Sequence, residues 1–198
     1  MNRHLQCQCG TVRGELKHAE NATRLMCYCK DCRAFAHFLG KAGAIIDPAG
    51  GVDVVVTHPR EIAFSSGADA IACMSLSSAG MLRWYARCCN TPIGNTSRNN
   101  KMAYVGLSAA FLADPATLER DIGPVRMRSF TEAARTAVPG SGIGTTLPLM
   151  MGFGLALLRA RLDRSYRRTP FFKDGTNQPV AAPMVLADAE RERLRAIG

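Results

Sequence analysis

Negative charge and aromatic residues are both scarce in this chain. Its 198 residues include 16 Asp and Glu against 25 Lys and Arg, which gives a formal net charge of +9, and aromatic residues make up 7% with a single Trp. The excess of Arg favours either a solvated basic surface or an anionic partner. The basic stretch Arg159–Arg168 lacks the repeated aromatic residues that base stacking requires, so no specific nucleic-acid partner is predicted.

The chain also lacks an apolar run in its first residues, and such a run is what a secretory signal would need. Eight cysteines without that signal favour reduced thiols or metal-bound thiolates over disulfides, so we expect a cytoplasmic protein. The uncharged segment Thr136–Leu158 is interrupted by Gly and Pro, and its strongly apolar part is about half the length of a membrane span. A membrane-spanning role is therefore not expected.

An apolar fraction of 47% and a charged fraction of 21% are ordinary for a folded protein and exclude disorder of the whole chain. Strand-length runs separated by Gly, Pro, Asn and Ser predict a mainly β fold of short antiparallel strands. The predicted strands are Thr11–Leu16, Val52–Thr57, Glu61–Phe64, Ala70–Leu76, Leu82–Tyr85, Tyr104–Leu107 and Pro124–Phe130.

The pattern changes near residue 130, which predicts a β domain over residues 1–130 and a helical extension over 131–198. Within the extension, an apolar helix is expected over about 146–168, with Thr145 or Thr146 as its cap and Pro148 in its first turn. A short charged helix is expected over Asp188–Ala196. The apolar helix is expected to be buried or to face a partner, such as a second copy of the chain.

Cysteine spacing is the strongest functional signal. Cys7 and Cys9 form a CxC pair followed by Gly10, and Cys27, Cys29 and Cys32 form a CxCxxC group. Tight turns at these spacings can direct several thiolates at one ion, and zinc prefers such ligands. Cys88 and Cys89 form a third group, whereas Cys73 lies in an apolar run and is expected to be a core residue.

The order of these motifs resembles the glutathione-dependent formaldehyde-activating enzyme family, which includes centromere protein V-like members. The matches lie between about Leu5 and Leu107, and no match is apparent beyond residue 130. They are Cys7-Gln8-Cys9-Gly10-Thr11-Val12, Cys27-Tyr28-Cys29-Lys30-Asp31-Cys32-Arg33, the Gly50-Gly51 turn, and Arg83-Trp84-Tyr85 leading to Cys89-Asn90-Thr91-Pro92.

The resemblance implies a zinc-bound β-tent with two zinc sites. One would be structural, with Cys7 and Cys9 joined by a later pair of cysteines. The other would be held by Cys27, Cys29 and Cys32 and would keep one coordination position open, as reactive zinc sites do. By the same resemblance, a small thiol such as glutathione, or its adduct with an aldehyde, would bind there.

The sequence departs from the family pattern at Ala86, where a cysteine is expected three residues before Cys89. Cys88 is adjacent instead, and neighbouring residues of a strand point to opposite faces, so two ligands here would need a local turn. The other interpretations are three thiolates completed by water or His, or no structural zinc. One to two zinc ions per chain are therefore predicted.

Several residues near the cysteines keep two interpretations open. His37 could be a fourth ligand or an acid–base group, or simply a partly buried helix residue. Asp31 and Arg33 could orient ligands or bind a substrate carboxylate, or could be surface charges. Arg83 and Arg87 could form an anion-binding wall with Trp84 and Tyr85, or these aromatic residues could belong to the core.

Two functions follow from these observations. The first is a zinc-dependent carbon–sulfur lyase-like enzyme that acts on a thiol–aldehyde adduct at Cys27, Cys29 and Cys32. The alternative is a non-catalytic scaffold stabilised by zinc, which would dock a protein partner or a membrane surface through its C-terminal helix. The two differ in whether the middle cysteine group keeps a position open for an exogenous thiol.

Overall fold

The computed structural model describes residues 1–197 and combines helix and strand in comparable amounts, 34% and 28% of the chain. The prediction of a mainly β fold is therefore wrong. Helical turns occupy many of the links between strands, which the sequence pattern marked only as turns. The longer helices α1 and α5 pack on the β domain, and α4 is the longest element of the chain.

Eleven strands and five α-helices make up the described chain. The strands are β1 Arg3–Gln6, β2 Arg13–Leu16, β3 Thr23–Cys27, β4 Val52–Thr57, β5 Ile62–Ser66, β6 Ile71–Ser75, β7 Leu82–Ala86, β8 Thr91–Thr96, β9 Val105–Ser108, β10 Met127–Ser129 and β11 Pro183–Val185. The helices are α1 Lys30–Phe38, α2 Ala42–Ile45, α3 Leu118–Asp121, α4 Ile143–Leu162 and α5 Asp188–Ile197.

The strands form two sheets. The smaller has the order β1-β2-β5, and the larger has the order β10-β3-β4-β9-β8-β7-β6-β11. Every named pairing is antiparallel except at the two edges of the larger sheet, where β10 lies parallel to β3 and β11 lies parallel to β6. The interior of the larger sheet thus consists of short antiparallel strands, while β10 and β11, which come late in the chain, form its two edges.

The main hydrophobic core draws on both sheets and is centred on Trp84, which is fully buried in β7. Its indole Nε1 donates a hydrogen bond of 3.0 Å to Thr96 Oγ1, so the one polar atom of the ring is satisfied. The ring of Phe171 lies 5.2 Å from that of Trp84. Residues far beyond position 130 therefore complete the core of the β domain.

A second core cluster joins the last helix to the first. Leu194 of α5 is buried with Phe35 and Leu39, which come from α1 and its end. Asp31 in the first turn of α1 accepts a hydrogen bond of 2.8 Å from Arg195. This packing fixes the N-terminal turn of α1, and that turn carries part of the cysteine constellation.

Four strands are absent from the sequence prediction: β1, β3, β8 and β11. The sequence of β8 contains Pro92 and Gly94, which normally argue against a strand. Both are accommodated because the pairing of β7 with β8 shifts register between Trp84 and Tyr85, and because Gly94 approaches β9 so closely that an added Cβ would lie 2.6 Å from the Gly106 carbonyl oxygen.

Helix α4 differs from its prediction in bounds and surroundings. It starts at Ile143 rather than near 146, and ends at Leu162 rather than 168, because Arg164 adopts a left-handed conformation with φ of 58°. Pro148 consequently lies inside the helix, where its missing N–H removes the hydrogen bond to the Gly144 carbonyl. Of its residues only Ala160 is buried, so within the described chain α4 is not a buried helix.

Candidate metal centres

Four cysteine thiols converge at one end of the small sheet. The Sγ atoms of Cys7, Cys9, Cys88 and Cys89 all lie within 4.8 Å of one another and could hold a metal ion. Neighbouring Sγ atoms are separated by 3.6 Å for Cys7–Cys9, 3.3 Å for Cys9–Cys88 and 3.8 Å for Cys7–Cys88. Tetrahedral zinc with Zn–S bonds of about 2.3 Å places its sulfurs about 3.8 Å apart, so the spacing suits such an ion.

Two turns build this four-cysteine group. The first follows β1, where the Gly10 N–H donates to the Cys7 carbonyl and Gly10 takes a φ of 78°, a conformation that favours glycine. The Val12 N–H donates to Cys7 Sγ at 3.2 Å, which holds the sulfur in place within the turn. The turn is joined to the second one by a 3.0 Å hydrogen bond from the Gln8 N–H to Thr91 Oγ1.

The second turn explains how adjacent cysteines meet one site. Strand β7 ends at Ala86, the Cys89 N–H donates to the Ala86 carbonyl, and Asn90 adopts a φ of 55°. The alternation of faces that holds within a strand therefore does not apply to Cys88 and Cys89, whose Sγ atoms are 3.9 Å apart. The structure places both residues with Cys7 and Cys9. The group therefore contains four thiols even though position 86 is Ala rather than Cys.

Cys9 is an exposed thiol of the four-cysteine group, and Thr11 lies beside its sulfur. The hydroxyl and the backbone of Thr11 hydrogen-bond to its sulfur and lower the pKa of Cys9 to about 6. A thiol that ionises near neutral pH is a ready metal ligand, since the thiolate is the form that binds.

The second group contains three thiols, those of Cys27, Cys29 and Cys32, which also lie within 4.8 Å of one another. Cys27 ends β3, Cys29 is the N-cap of α1, and Cys32 lies in its first turn. The Sγ of Cys27 lies 3.4 Å from that of Cys29 and 3.6 Å from that of Cys32. Because the strand end and the helix start are consecutive in the chain, local geometry alone brings these three sulfurs together.

The three-cysteine group favours a negative charge on Cys32. Hydrogen bonds with the Cys27 and Cys29 thiols lower the pKa of Cys32 well below its ordinary value, and the nearby Arg83 guanidinium adds to this effect. Hydrogen bonds with Cys29 and Cys32, together with burial, raise the pKa of Cys27. The N-terminus of α1 supports the Cys32 thiolate further, because the helix dipole is positive at that end. The Cys32 N–H itself donates to Cys29 Sγ at 3.4 Å.

The charged neighbours of this group have structural contacts. Arg33 is buried and its guanidinium donates to the carbonyl oxygens of Tyr28, Gly50 and Ala133, so it ties three segments together. Asp31 accepts from Arg195 and lies 3.9 Å from the Arg83 guanidinium. These contacts account for both residues without a substrate.

The structure also shows the surroundings of the other residues for which the sequence left two interpretations. Trp84 belongs to the core, Arg83 is buried with its guanidinium 5.5 Å from the Phe35 ring, and Arg87 is exposed and donates to the Asp69 carbonyl. The described structure does not group His37 with any cysteine thiol. Cys73 is buried in β6, and burial raises its pKa to about 12, as expected for a core thiol.

A cavity of about 490 Å³ lies next to the turns of the four-cysteine group. Gln8 of the first turn and Thr91 beside Cys89 contribute to its wall, and Ile45, Pro92 and Ser108 are shared with a smaller cavity of about 20 Å³ that reaches Cys32 and Arg83. Its polar lining includes Arg24 paired with Asp53 at 2.6 Å and Lys41 bound to Gln8 at 2.7 Å. The volume is in the range of small-molecule sites, and no motif in the sequence predicts this cavity.

The fold and these groups define a mixed α/β protein with two clusters of cysteines that could each hold a metal ion. The chain belongs to DUF6151, a family of unknown function, which it matches over residues 2–182. No curated protein matches the chain. The resemblance to the formaldehyde-activating family, with its β-tent, therefore remains a prediction.

Proposed function

We propose that the protein is a zinc-dependent carbon–sulfur lyase-like enzyme that acts on the adduct of a small thiol with an aldehyde. The observation that carries this proposal is the difference between the two cysteine groups. One contains four thiols and the other contains three. Four thiolates close a tetrahedral site, whereas three leave a position for water or an exogenous ligand, as catalytic zinc sites do.

The donor set supports zinc as the metal. Both groups offer only soft sulfur ligands at tetrahedral spacing, which favours zinc over oxygen-preferring ions such as Mg²⁺. All eight cysteines are free thiols, which agrees with a reducing compartment, and we propose that the protein works in the cytoplasm. Zinc would be held by Cys27, Cys29 and Cys32 in the reactive site and by Cys7, Cys9, Cys88 and Cys89 in the structural one.

When bound, zinc would supply a Lewis-acid position that favours the thiolate form of a small thiol. In the forward direction the thiol sulfur forms a bond to the aldehyde carbon, and the thiol proton ends on the former carbonyl oxygen. The reverse direction breaks that C–S bond. Lys41 lines the cavity of about 490 Å³, where it could bind a carboxylate of the thiol.

The test is to load the protein with cobalt in place of zinc and to add glutathione. An open position predicts a change in the visible spectrum on addition of thiol, and a saturable thiol-dependent turnover of a formaldehyde adduct by the zinc form. Cys32→Ser should abolish both responses. Cys73→Ala is the matched control, because it removes a cysteine that belongs to neither group and should leave both responses in place.

A non-catalytic scaffold is the second candidate, and the exposure of helix α4 favours it. In that case both cysteine groups serve only stability and α4 docks a partner. No spectral response to glutathione, combined with full zinc occupancy and no turnover, would reject the enzyme and leave the scaffold.

A further inference from the structure

Helix α4 presents an apolar face that the described chain does not cover. Its large side chains are mostly exposed, with Ile143 at 83% and Leu162 at 75% relative accessibility, and the other exposed members are Leu147, Met150, Met151, Leu155 and Leu158. By length and composition it is the one helix of the described residues that could cross a membrane. Such a face at the surface of a folded protein needs a partner.

The exposed residues share one side of the helix. At about 100° per residue, the seven large side chains fall within about 140° of one another. A different side faces the protein: the Phe153 ring packs 5.4 Å from the ring of Tyr104, and Ala160 is buried. The helix therefore lies along the domain and directs its apolar side outward.

The fold excludes a spanning arrangement for this helix. Just before it, Ser141 Oγ accepts a 2.7 Å hydrogen bond from the Arg128 N–H, next to β10. Just after it, Ser165 is buried 3.4 Å from His58 Nε2, and Phe171 enters the main core. Both ends are thus attached to one domain, whereas a spanning helix of about 30 Å would place them on opposite sides of a bilayer.

Charge identifies the partner of the apolar face. No acidic residue occurs between Arg135 and Asp163, while the end of the helix and the segment after it carry exposed arginines at positions 159, 161, 164, 167 and 168. The Asp163 carboxylate, the first acidic group after the helix, already lies 3.8 Å from the Arg60 guanidinium. Phosphates and other anionic head groups would supply the missing negative charge.

We propose that α4 binds in the plane of an anionic membrane surface, with its apolar side in the acyl boundary and its arginines at the head groups. A second copy of the chain is the less suitable partner, because it would add five more arginines and no new carboxylate along this helix. Binding of a helix at a membrane surface strengthens with the apolar area that it buries and with its electrostatic attraction to anionic lipids, and α4 offers both. This inference is independent of the proposed enzyme activity.

The test is co-sedimentation of the purified, zinc-loaded chain with vesicles of phosphatidylcholine alone or with about 30% phosphatidylserine. We expect binding to the anionic vesicles, weaker binding to neutral ones, and weakening by salt. The double variant Leu155→Asp, Leu158→Asp should lower the partition coefficient at least about tenfold, and Arg161→Glu with Arg164→Glu should do so on anionic vesicles only.

Matched controls are Met184→Asp, an equally exposed apolar residue of β11, and Arg193→Glu, an exposed arginine of α5; both should bind as the wild type does. Unchanged zinc content in every variant separates this result from the metal proposal. Three outcomes would overturn the inference: no binding to anionic vesicles, wild-type binding by the α4 variants, or a solution dimer that the apolar α4 variants convert to monomer.

Discussion

Cys7 Sγ lies 3.8 Å from Cys88 Sγ, although 81 positions separate the two residues in the chain. This contact joins the turn after β1 to the turn after β7, and the hydrogen bond from Gln8 to Thr91 runs beside it. A metal bound by these residues would therefore crosslink the two sheets as well as complete its own coordination.

Cys88→Ser should remove one zinc ion per chain and lower the melting temperature, because the four-cysteine group would lose a ligand that bridges the two turns. Elemental analysis with thermal unfolding measures both effects. Cys73→Ala is the control: it removes a thiol that is buried in the core and costs packing energy, but it should leave zinc content unchanged. Full zinc occupancy in Cys88→Ser would show that Cys88 is not a ligand.

Asp31→Asn should retain zinc and lower the free energy of unfolding by only about 0.2–1 kcal/mol, because the Asp31–Arg195 pair is partly exposed. Arg195→Gln should have a similar effect, and the double variant should cost less than the sum of the two. A double-mutant cycle by chemical denaturation measures this coupling. Loss of zinc in Asp31→Asn would instead assign Asp31 a role at the metal centre.

His58 gives the protein a defined pH dependence. Burial and the nearby Arg60 lower the pKa of His58 to about 4, so the folded state keeps it neutral while the unfolded chain takes up a proton near pH 6.5. The stability that the neutral ring contributes is complete above about pH 6.5 and is lost as pH falls towards 4, to the extent of about 1–3 kcal/mol.

The measurement for His58 is urea denaturation of the wild type and His58→Gln between pH 7 and pH 4. Because acid also releases metal from cysteine sites, the informative quantity is the difference between the two proteins, which cancels that common loss. The wild type should lose more stability than the variant over this interval. Parallel curves would show that His58 titrates normally in the folded state.

Two glycines give opposite predictions. At Gly14 in β2 an added Cβ would lie 2.4 Å from the Ala63 carbonyl oxygen, so Gly14→Ala should destabilise the fold by about 1–3 kcal/mol. At Gly152 in α4 the space around a Cβ is open, so Gly152→Ala should raise helix stability by about 0.5–1 kcal/mol. Thermal unfolding of both variants checks the signs, and equal effects would contradict the strand spacing at β2.

Much of the three-cysteine group was predictable because it is local. Residues 27–32 contain a strand end, a capping residue and the first turn of a helix, and these elements place their side chains by short-range hydrogen bonds. The β-branched run Val52–Thr57 was likewise predicted with its observed bounds, because it is a long and strong strand pattern. The terminal helix was predictable from its local sequence in the same way, and it begins at Asp188 as predicted.

Other features depended on contacts that no local pattern encodes. The strands β10 and β11 are only three residues long and exist because the large sheet offers them an edge. The exposure of α4 was also unpredictable. An apolar sequence indicates that a helix will pack against another surface, but not whether that surface belongs to the same chain.

The sequence by itself determined the thiol chemistry of this protein, the position of the group at residues 27–32 and the apolar character of the late helix. Only the tertiary structure decided that Cys88 and Cys89 both reach Cys7 and Cys9, and that α4 lies along the surface with both ends attached to one domain. The physical reason is the distance along the chain between the residues that must meet. Spacings of a few residues fix geometry through the backbone, whereas meetings across tens of residues follow from strand order and shared core packing.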